Sequence, residues 1–165
     1  SEMIDAPVGD RSKWRPRWPT MPEFEIPIGV AKTLCEGDQL TVVSYGRAVH
    51  LCHSVAKKLH EQQGLNIEVI DLRSLMPFDK ETIATSLQKT GKLLVVNEDT
   101  EVTNFGEHLI RVMMDDHFYL LQAPPKLLAG ANTPGIGLAP PLEAAQIPQE
   151  DGIEKAMVEL IHTQA

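Results

Sequence analysis

Residues 40–72 read LTVVSYGRAVHLCHSVAKKLHEQQGLNIEVIDL, and this stretch decides the fold class. Leu40–Tyr45 is a short apolar run rich in β-branched residues, as in a buried strand. Gly46 breaks the run. From about Arg47 to Gln63, Ala48, Cys52, Val55, Ala56 and Leu59 fall on one helical face. Gly64 then offers the left-handed backbone that ends a helix. Ile67–Leu72 repeats the strand pattern. Two short, largely apolar strands joined through a helix form a βαβ unit, in which parallel strands lie buried between helices.

The same alternation continues downstream. After Pro77, Asp79 is a natural N-cap, since its short carboxylate can accept from the free amides of a first turn. The helix it opens runs to about Thr90 and stops at Gly91. Phe78 and Ile83 stand at hydrophobic-staple spacing around that cap. Leu93–Asn97 is the third strand. Asn104 and Glu107 have capping-box spacing and open a helix to about Asp116, with Leu109, Ile110 and Met113 as its buried stripe. Lys126–Gly130 is a fourth strand. A Gly/Pro-rich loop, 132–141, follows it. The last helix, about Asp151–His162, carries Ile153, Ala156, Met157, Leu160 and Ile161 at i, i+3, i+4, i+7, i+8 spacing. The residues thus predict a largely parallel sheet covered on both faces, with right-handed crossovers.

Upstream, residues 1–39 differ. Pro7, Pro16, Pro19, Pro22 and Pro27 interrupt them, and no periodicity is visible before Ile26. They are read as an extended arm or linker ahead of an α/β domain over 40–165. Ser1 in first position suggests a piece of a longer chain.

Composition fits one globular domain: 165 residues, 42% hydrophobic and 23% charged, with aromatics at only 5%. The core must therefore be aliphatic. A net charge of −8 argues against broad nucleic-acid or membrane binding. No run approaches the length of a transmembrane helix and no apolar leader segment is visible. Cys35 and Cys52 match no zinc or redox spacing, which points to a reducing compartment. The expected location is cytoplasmic, or the mitochondrial matrix in a eukaryote.

Several groups of residues carry possible chemistry. Glu98, Asp99 and Glu101 follow the third strand, at the sheet edge where ligands of open α/β folds gather. Paired carboxylates there suit acid/base work, a cation or a partner subunit, and equally a solvated loop. His50 and His53 are three apart, and His60 lies seven further on. An i, i+3 pair can share a metal, but no Glu or Cys completes a metal motif, and a polar helix face accounts for them. Ser44–Gly46 and Gly130–Gly137 lack any phosphate-binding glycine pattern, so turn geometry explains them. No nucleophile elbow is present. The sharpest oddity is RSKWRPRWP, Arg11–Pro19. It sets Trp14 and Trp18 among Arg11, Lys13, Arg15 and Arg17 in an acidic protein. Trp and Arg dominate protein interfaces, and two exposed tryptophans are costly. This segment is expected to lie against a neighbouring domain or subunit, rather than to stack on nucleic acid or serve as a plain linker. No catalytic, cofactor-binding or metal-binding residue is assigned. The candidate interface residues are Trp14, Arg15, Trp18, Glu98, Asp99, Glu101, Asn104 and Phe105.

From about Ile26 onward the sequence also resembles a known family. The stretches are IPIGVAKTLCEGDQLTVVSYG (26–46), EVIDLRSLMPFDKETIATSLQKTGKLLVVNED (68–99), NFGEHL (104–109) and PPLEAAQIPQEDGIEKA (140–156). Their order is similar to that in the C-terminal domain of the beta subunit, or fused single-chain form, of thiamine-diphosphate-dependent 2-oxo acid dehydrogenases. Transketolase shares that domain. Asp71, Leu72, Arg73, Pro77 and Asp79 follow the family's order. Glu98-Asp99 stands where the family usually has Glu-Glu, and residues 1–25 match poorly. The resemblance implies a three-layer α/β/α sandwich around a mostly parallel, mixed five-stranded sheet.

It also implies a parent enzyme that oxidatively decarboxylates a 2-oxo acid, of the pyruvate or branched-chain 2-oxoisovalerate type, and passes the acyl group to lipoamide. Thiamine diphosphate and Mg²⁺ would lie between two other domains, in a site carrying a GDG motif. Here Arg11 follows Gly9-Asp10 and Gln39 follows Gly37-Asp38, so no cofactor residue carries over. This domain would be inactive alone. Its implied partners are the thiamine-binding domains (same chain or alpha subunit), a second copy of itself and the lipoyl acyltransferase core. The same resemblance admits transketolase or 1-deoxyxylulose-5-phosphate synthase, although LRSLMPFD favours the dehydrogenases. A free-standing α/β module for an anion or nucleotide is the reading outside the family.

Overall fold

The computed structural model describes residues 25–163. Its strands are β1 (Lys32–Cys35), β2 (Leu40–Ser44), β3 (Ile67–Asp71), β4 (Leu93–Thr100) and β5 (Lys126–Gly130). The helices are α1 (Ala48–Gln63), α2 (Lys80–Thr90), α3 (Phe105–His117), α4 (Pro140–Gln146) and α5 (Glu150–His162). The strands form one sheet in the order β1-β3-β2-β4-β5. β1 runs antiparallel to β3, and the other neighbours are parallel.

Strand alternation divides the core in two. Leu40 and Val42 of β2, Ile67 and Val69 of β3, and Leu94 and Val96 of β4 pack against α1 and α5. Val43, Ile70, Leu93 and Val95 pack on the opposite face against Ile83 and Leu87 of α2 and Leu109 and Met113 of α3. Successive side chains of a strand point to opposite faces, so each short strand supplies both layers. Burying each such side chain contributes about 1.5–3 kcal/mol. The result is the α/β/α sandwich, with the mixed five-stranded sheet that the resemblance implied.

The helix ends follow the sequence. Gly64 and Gly91 take φ of 67° and 63° and close α1 and α2. The Asp79 carboxylate accepts from Thr82 N–H at 3.0 Å and from the Thr82 hydroxyl at 2.8 Å. It also accepts from Ala31 N–H at 3.0 Å, tying the approach to β1 to the start of α2. Burial alone would raise the Asp79 carboxyl. The amides of Ala31 and Thr82 and the Thr82 hydroxyl outweigh it and hold the group below its ordinary value. With the folded value depressed, the carboxylate stabilises the fold above its unfolded pKa of about 3.9. That contribution fades as pH falls through the folded value. Asp79→Ala should cost about 1–2 kcal/mol at neutral pH. The gap from the native protein should close in urea titrations run at successively lower pH, and a gap independent of pH would contradict the assignment.

Three boundaries differ from the sequence reading. β1 falls inside the segment read as an arm, so the division at residue 39/40 separates two strands of one sheet. β1 escaped notice because it is a four-residue edge strand, only partly buried, with an irregular register between Thr33 and Cys35. β4 continues three residues past Asn97, to Thr100. The loop placed at 132–141 gives way to α4 at Pro140. Its prolines occupy the first helical positions, where no amide partner is needed. Among the described residues no helix is long and apolar enough to cross a membrane.

Candidate functional site

The candidate residues within the described chain gather where β4 ends. Glu98 and Asp99 belong to the strand itself rather than to a loop after it. Pairing with β5 is irregular between Val96 and Thr100, and this frees the acidic residues from regular ladder positions. The Glu98 carboxylate pairs with the Arg47 guanidinium at 2.7 Å, with both side chains partly exposed. Arg47 begins the first turn after β2, so this contact bridges two adjacent strand ends. Asp99 and Glu101 are exposed. Glu101 donates its backbone N–H to Gly130 O at 2.7 Å, which fixes the segment against β5.

Asn104 caps α3, as its spacing with Glu107 predicts. It is 5% exposed. Its Oδ1 accepts from Gly106 N–H at 2.6 Å, Glu107 N–H at 3.3 Å and Asn97 Nδ2 at 3.0 Å, and its Nδ2 donates to Thr100 O at 2.7 Å. Both polar atoms of its side chain are engaged inside the fold, so Asn104 organises the turn between β4 and α3. The capping-box partner differs in detail, because Glu107 accepts from Thr103 N–H.

Phe105 is partly buried in an aromatic group. Tyr45 and Phe78 meet it edge-on, with centroids 5.8 and 5.6 Å away, and His108 is tilted at 5.7 Å. Such arrangements add to simple burial. The Tyr45 hydroxyl is pushed above its usual range by burial and by the Asp99 charge. Tyr45, Arg47, Phe78 and His108 are not among the candidate residues named from the sequence, where Phe78 stands only as a hydrophobic-staple residue. Only the position of Tyr45-Gly46-Arg47 at a strand end hinted at them.

The two contact segments expected from the sequence, 98–101 and 132–141, meet in one shallow cavity. It measures about 160 Å³, and its lining includes Glu98, Asp99, Gly130, Thr133 and Ile136. Gln146 anchors the second segment by accepting from Gly137 N–H at 2.6 Å. A larger cavity of about 360 Å³ lies between β1 and α1, lined by Cys35, Lys57 and His60 but by neither His50 nor His53. Among the described residues no three His, Cys, Asp or Glu side chains gather as a metal site. The Gly37-Asp38 turn is also engaged internally. Gly37 N–H donates to Glu68 at 3.2 Å, and the Asp38 and Gln39 amides donate to Asn66 O. These residues do not fit a diphosphate–Mg²⁺ site. Gly9, Asp10, Trp14, Arg15 and Trp18 lie outside the described residues.

This edge sits on a recognised module. Residues 29–153 match the model of the transketolase C-terminal domain. The chain belongs to that family. It is 38% identical over 138 residues to the 2-oxoisovalerate dehydrogenase subunit beta of Bacillus subtilis (strain 168), covering 84% of this chain and 42% of that protein. It is 38% identical over 134 residues to the mitochondrial pyruvate dehydrogenase E1 component subunit beta of Dictyostelium discoideum, covering 81% and 37%. The chain therefore spans less than half the length of these relatives. A solved structure described as a split gene transketolase, inactive beta4 tetramer, superposes with TM-score 0.75 at 20% identity, covering 88% of this chain and 46% of that one. That likeness bears on the fold alone.

Proposed function

We propose that this chain is the assembly domain of the decarboxylating component of a 2-oxo acid dehydrogenase, acting on pyruvate or a branched-chain 2-oxo acid. The observation that carries the reading is the kind of relative found. Pyruvate and 2-oxoisovalerate dehydrogenase beta subunits match most of this chain at 38% identity. In this reading thiamine diphosphate and Mg²⁺ are held by domains outside the chain, and the chain contributes contacts rather than bond-making. Its partners are those thiamine-binding domains, a second copy of itself and the lipoyl acyltransferase core. Its compartment is the cytoplasm, or the mitochondrial matrix in a eukaryote.

The contact surface assigned here is the acidic end of β4 together with residues 132–139. Three exposed apolar side chains, Ile136, Leu138 and Leu142, lie in or beside the second segment. Exposed apolar groups rimmed by charge are the usual make-up of an interface. Glu98→Lys with Asp99→Lys, made in the full-length enzyme, should weaken subunit association at least tenfold by sedimentation equilibrium. An unchanged association constant in a correctly folded variant would remove this surface from the assembly.

A further inference from the structure

We propose that the cavity between β1 and α1 is a binding site for a free aliphatic α-amino acid, whose charged end is held between Lys57 and Glu61 while its side chain lies on an apolar floor. The site is placed where β3 begins, at the edge of the sheet opposite the acidic end of β4. It goes beyond the assembly reading and shares no residue with the contact surface assigned there. Three observations support it.

The first is the size and floor of the cavity. Its volume of about 360 Å³ falls in the range of small-molecule pockets, ~300–1,000 Å³. Ala56 and Ile67 line it and belong to the core beneath α1, and Leu65 and Cys35 pack against that same core. The Cys35 thiol donates to Ile67 O at 3.3 Å, so its hydrogen is engaged within the fold. Pockets that hold small ligands set a few polar groups around an apolar lining of this kind.

The second is the pair of charges on the rim. Lys57 and Glu61 both line the cavity from α1. Among the described residues neither belongs to an ion pair. A lysine one turn ahead of a glutamate is the weaker order for a helical pair, and the two do not close on each other. Glu36, also on the rim, is taken by Lys89 at 3.1 Å. Burial pushes the Cys35 thiol up, the Val69 backbone opposes this, and the charges of Glu68, Lys57 and Glu36 act on it as well. A cation and an anion of the rim therefore both reach the floor.

The third is the place of those charges on the helix. α1 ends at Gln63, so Glu61 stands in its last turn, where the helix dipole is negative and favours a cation. Lys57 stands one turn earlier, ~5.4 Å along the axis. An ammonium group therefore belongs at Glu61 and a carboxylate at Lys57. A simple carboxylate would also face Glu61, a simple amine would also face Lys57, and a neutral apolar ligand would leave both without a partner. A ligand with both charges on one carbon and an aliphatic chain satisfies rim and floor together.

Titration of the full 165-residue chain with L-leucine, followed through backbone amide chemical shifts, tests the site. Isocaproate, which lacks the ammonium group, and isopentylamine, which lacks the carboxylate, are the comparison ligands. Leucine should shift the amides of residues 56–61 and 65–67 saturably, with a Kd at least tenfold below that of either analogue. Lys57→Gln should raise the leucine Kd at least fivefold without weakening isopentylamine. Glu61→Gln should raise it at least fivefold without weakening isocaproate. Both side chains are exposed, and general damage to the fold would not produce this crossed pattern. An absence of saturable shifts by ~10 mM leucine, shifts centred elsewhere, or an analogue that binds as tightly as leucine would overturn the proposal. So would a leucine affinity that neither substitution moves. None of these readings depends on the dehydrogenase assembly, so failure here leaves that reading standing, and the converse holds.

Discussion

Asn104→Ala should lower stability by about 2–4 kcal/mol, a large effect for a residue on a loop beside the proposed contact surface. The sum has two parts. Loss of an N-cap that serves two amides costs about 1 kcal/mol. The Asn97 amide is fully buried and donates to Asn104. Without that acceptor it carries a desolvation penalty of about 1–3 kcal/mol. Thr100 O loses its donor at the same time. Asn104→Asp keeps the cap and the acceptor for Asn97 but removes the donor to Thr100, so it should recover more than half of the loss. Urea unfolding of both variants checks this. A cost within ~0.5 kcal/mol, as is usual for surface changes, would mean that the cap and the Asn97 contact add little to stability.

Gly37→Ala should be at least as damaging. A Cβ placed on Gly37 would stand 2.4 Å from Glu68 N and from Ile67 C, and 2.7 Å from Asn66 O. All three are backbone atoms at the start of β3, so no side chain can swing away. The β1–β2 turn would have to lift. That would strain the Asp38 and Gln39 amides off Asn66 O and the Gln39 side chain off Asn66 N–H. It would also pull Gly37 N–H from the buried Glu68 carboxylate. Overpacking of this kind costs about 3 kcal/mol or more. For a chain of this size the melting temperature should fall by roughly 10 °C. Hydrogen exchange should show the loss concentrated in β1 and the adjoining end of β3. A melting temperature within a degree of the native protein would mean that the turn has room the structure does not show. The result bears on cofactor binding as well, because it tests whether Gly37 is required by packing alone.

The layers of the fold were legible because they rest on local patterns. Leu40–Ser44, Ile67–Asp71 and Leu93–Val96 carry apolar side chains on both faces, and a sheet covered by two helical layers satisfies them. Asp79, Gly64 and Gly91 mark helix ends through the chemistry of their own side chains or backbones, which travels with the sequence. β1 carried no such mark. Its four residues are shaped by the edge they occupy, and they form a strand because β3 offers hydrogen-bond partners. α4 was hidden for a related reason, since paired prolines read as a breaker unless the start of a helix falls on them.

The site shows the same division. Its acidic character at the end of a strand could be read directly from Glu98, Asp99 and Glu101. Which of them faces outward could not. Arg47 is 51 residues from Glu98 in the chain, and their pairing exists only because β2 and β4 are neighbours in the sheet. Phe105, a candidate contact residue, is partly enclosed because the fold brings Tyr45 and Phe78 in from two other strand and helix ends. The sequence by itself determined the α/β class, the helix caps and the charge of the candidate edge, because periodicity, capping and charge are properties of a few consecutive residues. The tertiary structure alone decided the place of β1, the burial of Asn104 and the meeting of segments 98–101 and 132–139, because each depends on which distant residues the strand order sets side by side.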